Sequence, residues 1–244
     1  MLSFTLAPGL DLRISAMRKT VKKKVRHRTN AERSAETRGK LIDAAADMLC
    51  KAGYGATTTI AVADAAQVSR GAMLHHFPTR VDLLLAVAEH IILEQRRMRR
   101  DFFDHVPAGP ERFFSGADIS WVAQRHPSTL ALLEIMMASR HDRDLRRSVT
   151  PLLRQMAEMR STAAARLAQD LGIADKNVMI DLLHVHLAAL RGLAIDLIFT
   201  QNPREIERAR KLFTAYEHTF ARSLMAAGRK NPKRPASRQP AKQR

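Results

Sequence analysis

The sequence predicts an all-α fold, with a small three-helix headpiece near the N-terminus and a larger helical domain after it. Three observations carry that reading. Between the two termini, apolar residues recur at spacings of three and four almost throughout. Runs of β-branched residues, which favour strands, are few. Helix-start signatures precede several periodic stretches, as at Thr29 with Glu32, Thr79 with Asp82, and Asn202 with Pro203 and Glu205.

Thr29 and Glu32 have capping-box spacing. Leu41, Ala45, Met48, Leu49 and Ala52 then share one face before Gly53 and Gly55 end the pattern, giving a first helix over roughly residues 32 to 52. Thr57, Thr58 and Thr59 lead into a short helix through Val62, Ala63 and Ala66, and Ser69 caps a second short one. Thr79 and Asp82 open a long helix through Leu83, Leu84, Val87, Ile91 and Leu93 toward Arg100. After VPAGP, residues 106 to 110, composition shifts toward Phe, Trp and Met, and further helices are expected over 111 to 125, 127 to 139, 142 to 171 with Pro151 as a kink or restart, 176 to 200, and 203 to 227. The expected organisation is a disordered basic arm (1–29), a headpiece (30–77) with a coupling helix (79–104), a C-terminal domain (105–228), and a disordered basic tail (229–244).

The formal charge of +17 would suggest nucleic acid, but its distribution weakens that inference. Residues 1 to 30 hold eight Lys/Arg against Asp11, and residues 229 to 244 hold seven with no acid, so the two tails account for +14. A specific nucleic-acid role must therefore rest on where a few side chains point. The single cysteine, Cys50, lies in an apolar helical pattern, which excludes a disulfide framework and fits the cytosol. The start MLSFTLAPGLDLRISAM is broken by Pro8, Gly9, Asp11 and Arg13, so a signal peptide is not expected, and Met17 is an alternative start. No segment reads as the roughly 20 apolar residues of a membrane span.

The stretch TTTIAVADAAQVSRGAMLHHFPTRVDLL has the form of a helix-turn-helix, in which two short helices cross at small residues and the second lies in a DNA major groove. Ala63 and Ala66 allow the close crossing, and Val62, Val68 and Met73 point inward. That leaves Arg70, Gly71, Ala72, His75 and His76 on the outer side.

From Thr37 to Val87 the sequence resembles the DNA-binding headpiece of the TetR family of transcriptional regulators, through Thr37, Arg38, Ala44, Ala45, the Gly53-Tyr54 pair, Thr58, Ala63, Ala66, Val68, Ser69, Gly71, His76 and Phe77. The resemblance implies an N-terminal helix-turn-helix and a C-terminal helical ligand-binding and dimerisation domain. It also implies DNA-facing positions at Thr58, Thr59, Arg70, Gly71, Ala72, His75, His76 and Arg80, and the caps Ser69 and Thr79 beside them complete the expected DNA-binding set. Two residues depart from the family pattern. Gln67 replaces a glycine, so the turn must form without glycine's left-handed freedom. Leu74 replaces a tyrosine whose hydroxyl meets a phosphate. Arg80 stands for the usual lysine, and with Thr79 at a helix N-terminus it is expected to clamp a phosphate. Arg70 is the expected base reader, able to bond a guanine edge in two places.

Metal binding by His75 and His76 is disfavoured, since adjacent helical residues diverge by roughly 100 degrees and no further ligand stands at suitable spacing. No catalytic residue, metal site or cofactor is expected. In the C-terminal domain, Phe113, Phe114, Trp121, Met136, Met137, Met156 and Met159 either shape an effector cavity or form ordinary core. His184, His186, Arg191 and Asp196 interrupt an apolar helix, as pocket-lining groups or as satisfied core or interface groups. The run EQRRMRR, residues 94 to 100, reads as a solvated helix end. Leu190, Leu197, Phe213, Tyr216 and Phe220 are the expected dimer contacts.

These readings converge on a homodimeric, sequence-specific regulator that binds a palindromic double-stranded operator and is released by an unknown small molecule. The alternatives are a nonspecific nucleic-acid binder acting through the tails, and a metal-dependent hydrolase, for which no nucleophile, base and orienter stand at recognisable spacing.

Overall fold

The computed structural model describes residues 29–230, which form helices and short connections. The basic arm up to residue 28, the alternative start and most of the basic tail lie outside the described residues. The order is α1 (Asn30–Ala56), α2 (Thr59–Ala65), α3 (Arg70–His76), α4 (Arg80–Asp104), α5 (Pro110–Arg125), α6 (Pro127–Ala138), α7 (Arg143–Asp170), α8 (Lys176–Phe199) and α9 (Pro203–Lys230).

Capping chemistry explains most boundaries. Thr58 and Ser69 accept amide hydrogens from Ala61 and Ala72, both at 3.2 Å, and so start α2 and α3. Thr79 and Asp82 complete a reciprocal capping box for α4. At the end of α1, Gly53 leaves helical geometry with φ 75°, so the stretch after it turns away although hydrogen bonding continues to Ala56. Pro151 sits inside α7 without ending it. Asn202 does precede α9, but its side-chain amide donates to Glu205 at 2.8 Å, where a cap through its oxygen was expected.

One core runs through the headpiece and beyond it. Leu41, Ile42, Leu49, Val62, Met73, Phe77, Leu83, Leu84 and Val87 bury together with Ile135 of α6 and Leu145 and Val149 of α7. The headpiece therefore shares apolar packing with helices placed far along the sequence, and α4 is the element common to both. A second cluster joins the end of α7 to α8 through Ala164, Ala168, Leu171 and Met179, with Phe113 and Leu224 against it. There Gly228 of α9 approaches closely, since a Cβ on it would stand 2.5 Å from the Gly172 carbonyl oxygen.

The expectation about apolar segments needs correction at α8, which by length and composition alone could cross a membrane. In this fold it packs on α5, α7 and α9, and its apolarity has two uses. Met179 and Leu190 are buried, whereas Val185, Ile198 and Phe199 face outward, Phe199 with 78% of its surface exposed.

Candidate DNA-binding face and internal cavity

The turn between α2 and α3 is a helix C-terminus of the two-bond type, in which the Val68 amide donates to Ala63 and the Gln67 amide to Asp64. That geometry requires a left-handed residue, and Gln67 supplies it with φ 55°. Here the missing glycine leaves local strain rather than a different turn. The angle between α2 and α3 is set below by Val62, Ala63, Met73 and Phe77, all buried.

What α3 does not bury follows from the same packing. Ser69, Arg70, Gly71, Leu74 and His75 are exposed, and Ala72 and His76 are half-buried. The His75 and His76 rings meet edge to face at 5.5 Å, and burial with two nearby positive groups holds His76 below the usual histidine value. Thr58 is exposed and Thr59 half-buried at the start of α2. The sequence-expected DNA face is thus brought together except at its far end.

Thr79 and Arg80 are that exception. The Thr79 hydroxyl and amide both donate to Asp82, at 2.8 and 3.0 Å. Arg80 turns inward, with Nε donating to the Thr57 carbonyl at 2.9 Å, a terminal nitrogen donating to the Tyr54 carbonyl, and its plane 3.9 Å from the Tyr54 ring centre. The neutral carbonyl oxygens of Thr57 and Tyr54, the latter also accepting the Thr57 amide, take up the Arg80 donors, so Arg80 is an internal brace where a phosphate clamp is the sequence expectation, and Thr79 is the N-cap of α4.

The same Tyr54 reaches the C-terminal helices. Its amide donates to Glu134 of α6 at 3.0 Å and its hydroxyl to Asp142, the N-cap of α7, at 3.0 Å. Asp142 is held below the usual carboxylate range, chiefly by the Leu145 amide and further by Tyr54, while burial and Asp142 raise the Tyr54 phenol, so the donor and acceptor roles are fixed at neutral pH. Glycine at position 53 is favoured by its backbone, since φ 75° is a conformation that side chains rarely adopt, while the 3.5 Å from a Cβ there to the Glu134 oxygen would be ordinary contact.

On the other side of α4 and α6 lies a cavity of about 600 Å³. Phe113, Met136, Met156, Met159 and Arg191 line it as expected. Other expected residues are not at its wall. Trp121 is buried beside Arg125 and Arg210, with ring-to-guanidinium distances of 5.7 and 5.8 Å. Phe114 meets His218 edge to face at 4.9 Å, Met137 is 50% exposed, and His184 faces out. The neighbouring histidine takes its place: His186 lines the cavity and bonds the buried Glu217 at 2.8 Å. The expectation missed Arg99, Arg160, Gln124 and His218, although Arg99 sits in the run EQRRMRR.

The expected dimer residues also separate. Leu190 is fully buried and Leu197 and Phe213 are half-buried, Phe213 with its ring 6.3 Å from His186, whereas Tyr216 is 68% exposed and Phe220 is exposed. Leu190 therefore belongs to the core. Val185, Ile198, Phe199 and Leu212 join Tyr216 and Phe220 as large apolar groups left open on α8 and α9.

A capped two-helix unit whose second helix turns a polar and basic face outward defines a helix-turn-helix DNA-binding protein. A family described as "Bacterial regulatory proteins, tetR family" matches residues 41–87. The HTH-type transcriptional regulator CymR of Pseudomonas putida is 30% identical over 195 residues, spanning 76% of this chain and 91% of that protein. The chain belongs to the TetR family of transcriptional regulators, whose members are DNA-binding regulators and not enzymes. Solved structures share the fold. A transcriptional regulator from Pseudomonas aeruginosa PAO1 aligns with TM-score 0.58 at 20% identity, covering 78% of this chain and 94% of that one. One from Saccharomonospora viridis in complex with choline aligns with TM-score 0.58 at 14% identity, covering 75% and 95%.

Proposed function

We propose that this regulator is a homodimeric repressor of a palindromic operator, released when a small molecule enters the cavity bounded by α4, α6, α7 and α8. The observation that carries the DNA-binding part is α3: its inward side chains are consumed by the core, and Arg70, Gly71, Leu74 and His75 face solvent. Arg70 reads a base edge, Thr58, Thr59 and Ser69 lie at the backbone, and Leu74 adds apolar contact where a hydroxyl is absent. Arg80 supports the unit from inside, and Thr79 caps α4.

A single recognition helix reads too few base pairs to select one genomic site, which favours two copies related by a twofold axis. The open apolar groups of α8 and α9 suit such a partner, and the choline complex of a structural relative supports small-molecule binding in this fold. Coupling would run through α6, because Leu132 and Met136 face the cavity and Glu134, on the same helix, holds Tyr54. A ligand that prefers another position of α6 or α4 lowers operator affinity by its differential binding, typically about 1 to 3 kcal/mol. Acting on chromosomal DNA places the protein in the cytoplasm, and the basic tails add sequence-independent attraction to phosphate.

Selection of bound duplexes from a random pool tests this reading. An inverted repeat is expected, and binding with no enriched motif would favour a nonspecific role for the tails.

A further inference from the structure

The cavity wall carries three arginines that no carboxylate pairs, its one acidic group, Glu217, being held by His186. Arg99 of α4, Arg160 of α7 and Arg191 of α8 all line it, and among the described residues none of the three forms an ion pair. The Nε atoms of Arg99 and Arg160 are buried without a hydrogen-bond partner, as are Gln124 Oε1 and His218 Nε2 on the same wall. Burial, and then the charge of Arg160, hold both Arg99 and Arg191 below the ordinary arginine value, yet a guanidinium stays protonated near neutral pH.

The other charged groups at the wall are accounted for. Arg112 donates to the carbonyls of Val106 at 3.2 Å and Phe103 at 3.4 Å, which close the end of α4. Arg96 and Arg100 are exposed. Glu217 is bonded to His186 and so is not aimed at the arginines. The remaining wall is largely apolar, with Leu132, Met136, Met156, Leu183 and Leu187. Like charges gathered in such surroundings are stabilised by an anion, and guanidinium groups bind carboxylate or phosphate through paired donors.

We propose that the cavity binds an amphipathic organic anion, its carboxylate or phosphate head among Arg99, Arg160 and Arg191 and its apolar body against α6 and α7. This rests on the reading of the cavity as the effector site. Gln124 and His218 offer an acceptor and a ring nitrogen to further polar groups of the ligand. About 600 Å³ suits a molecule of ordinary effector size.

The test uses the full-length protein with octanoate, 4-phenylbutanoate and octyl phosphate, set against octanamide and 4-phenylbutanamide, by thermal shift and titration calorimetry. At least one anion should raise the melting temperature and bind about ten-fold or more tightly than the neutral amide of matching chain, octanamide serving for both octanoate and octyl phosphate, a difference of about 1.4 kcal/mol. The double variant Arg99→Gln, Arg160→Gln should lose that preference while melting, without ligand, no lower than the parent. Comparison of octanoate with octyl phosphate identifies the preferred head. The inference is overturned if no anion outperforms its amide on the unmodified protein, if the double variant keeps the preference, or if stripping these charges unfolds the protein. The same compounds added to the protein bound to its selected duplex separate the two readings. Anion binding without DNA release sinks effector control and leaves the site, whereas release by amides alone sinks the anion and leaves effector control.

Discussion

Replacing Gln67 by glycine should stabilise the headpiece. Gln67 holds φ 55° to make the two-bond turn between α2 and α3. A left-handed residue with a Cβ costs about 1 to 2 kcal/mol. Glycine removes that cost but adds about 0.5 to 1 kcal/mol of unfolded-chain entropy, so the net gain is about 0.5 to 1 kcal/mol. In a chain of this size the melting temperature should rise by about 1 to 4 °C. Thermal unfolding followed by circular dichroism reads it, with Gln67→Asn as an intermediate case because asparagine enters this region more readily. Gln67→Ala, which keeps the Cβ, should give no gain. DNA affinity should be unchanged or slightly higher, since the turn is preorganised and no contact is removed. If Gln67→Gly melts at or below the parent temperature while Gln67→Ala matches it, the strain inferred at this turn is not there.

Arg70→Ala should relax base preference at one position of each half-site, costing about 1 to 3 kcal/mol against the preferred base, as read by binding to single-base variants of the selected duplex. Arg80→Ala removes two charged hydrogen bonds to the Thr57 and Tyr54 carbonyls and should cost about 2 kcal/mol of stability. It should weaken all DNA sequences alike with an unchanged salt slope; a slope reduced by about one would restore the phosphate clamp. Tyr54→Phe keeps the ring beneath Arg80 but loses the bond to Asp142, so it should cost about 1 kcal/mol in thermal unfolding and shrink the ligand-induced fall in DNA affinity. His76 and His218 are both held below their usual 6.5, chiefly by burial, so the unfolded chain binds more protons there. Their contribution to stability should be complete above pH 6.5 and be lost as pH falls from there through the lower folded values, and unfolding titrations with His218→Phe should show a shallower loss.

Local chemistry made the headpiece legible before its geometry was known. Thr58, Ser69 and Thr79 announce three helix starts within 21 residues of each other, and of the inward set read from the spacing, Val62 and Met73 are buried and Val68 is half-buried. Side-chain direction was harder to read. Arg80 looked free at a helix N-terminus because the carbonyls that bind it lie 23 and 26 residues earlier. His184 and His186 stand two positions apart on one helix, and sequence alone does not say which turns inward. Arg99 was hidden among Arg96, Arg97 and Arg100, where a charge run suggests solvent. Leu190 and Phe199 are equally apolar in a list of residues, but only packing shows that the first closes the core and the second remains open.

The claim on which the account depends is that the outer face of α3 meets DNA bases twice, from paired subunits. Benzoylphenylalanine placed at the exposed Leu74, irradiated with the selected duplex, tests it at the residue concerned. The account predicts crosslinks at two positions related by the dyad of the site and about 34 to 36 Å apart along the duplex. Crosslinks scattered along the DNA, or none while the complex is intact, would contradict it.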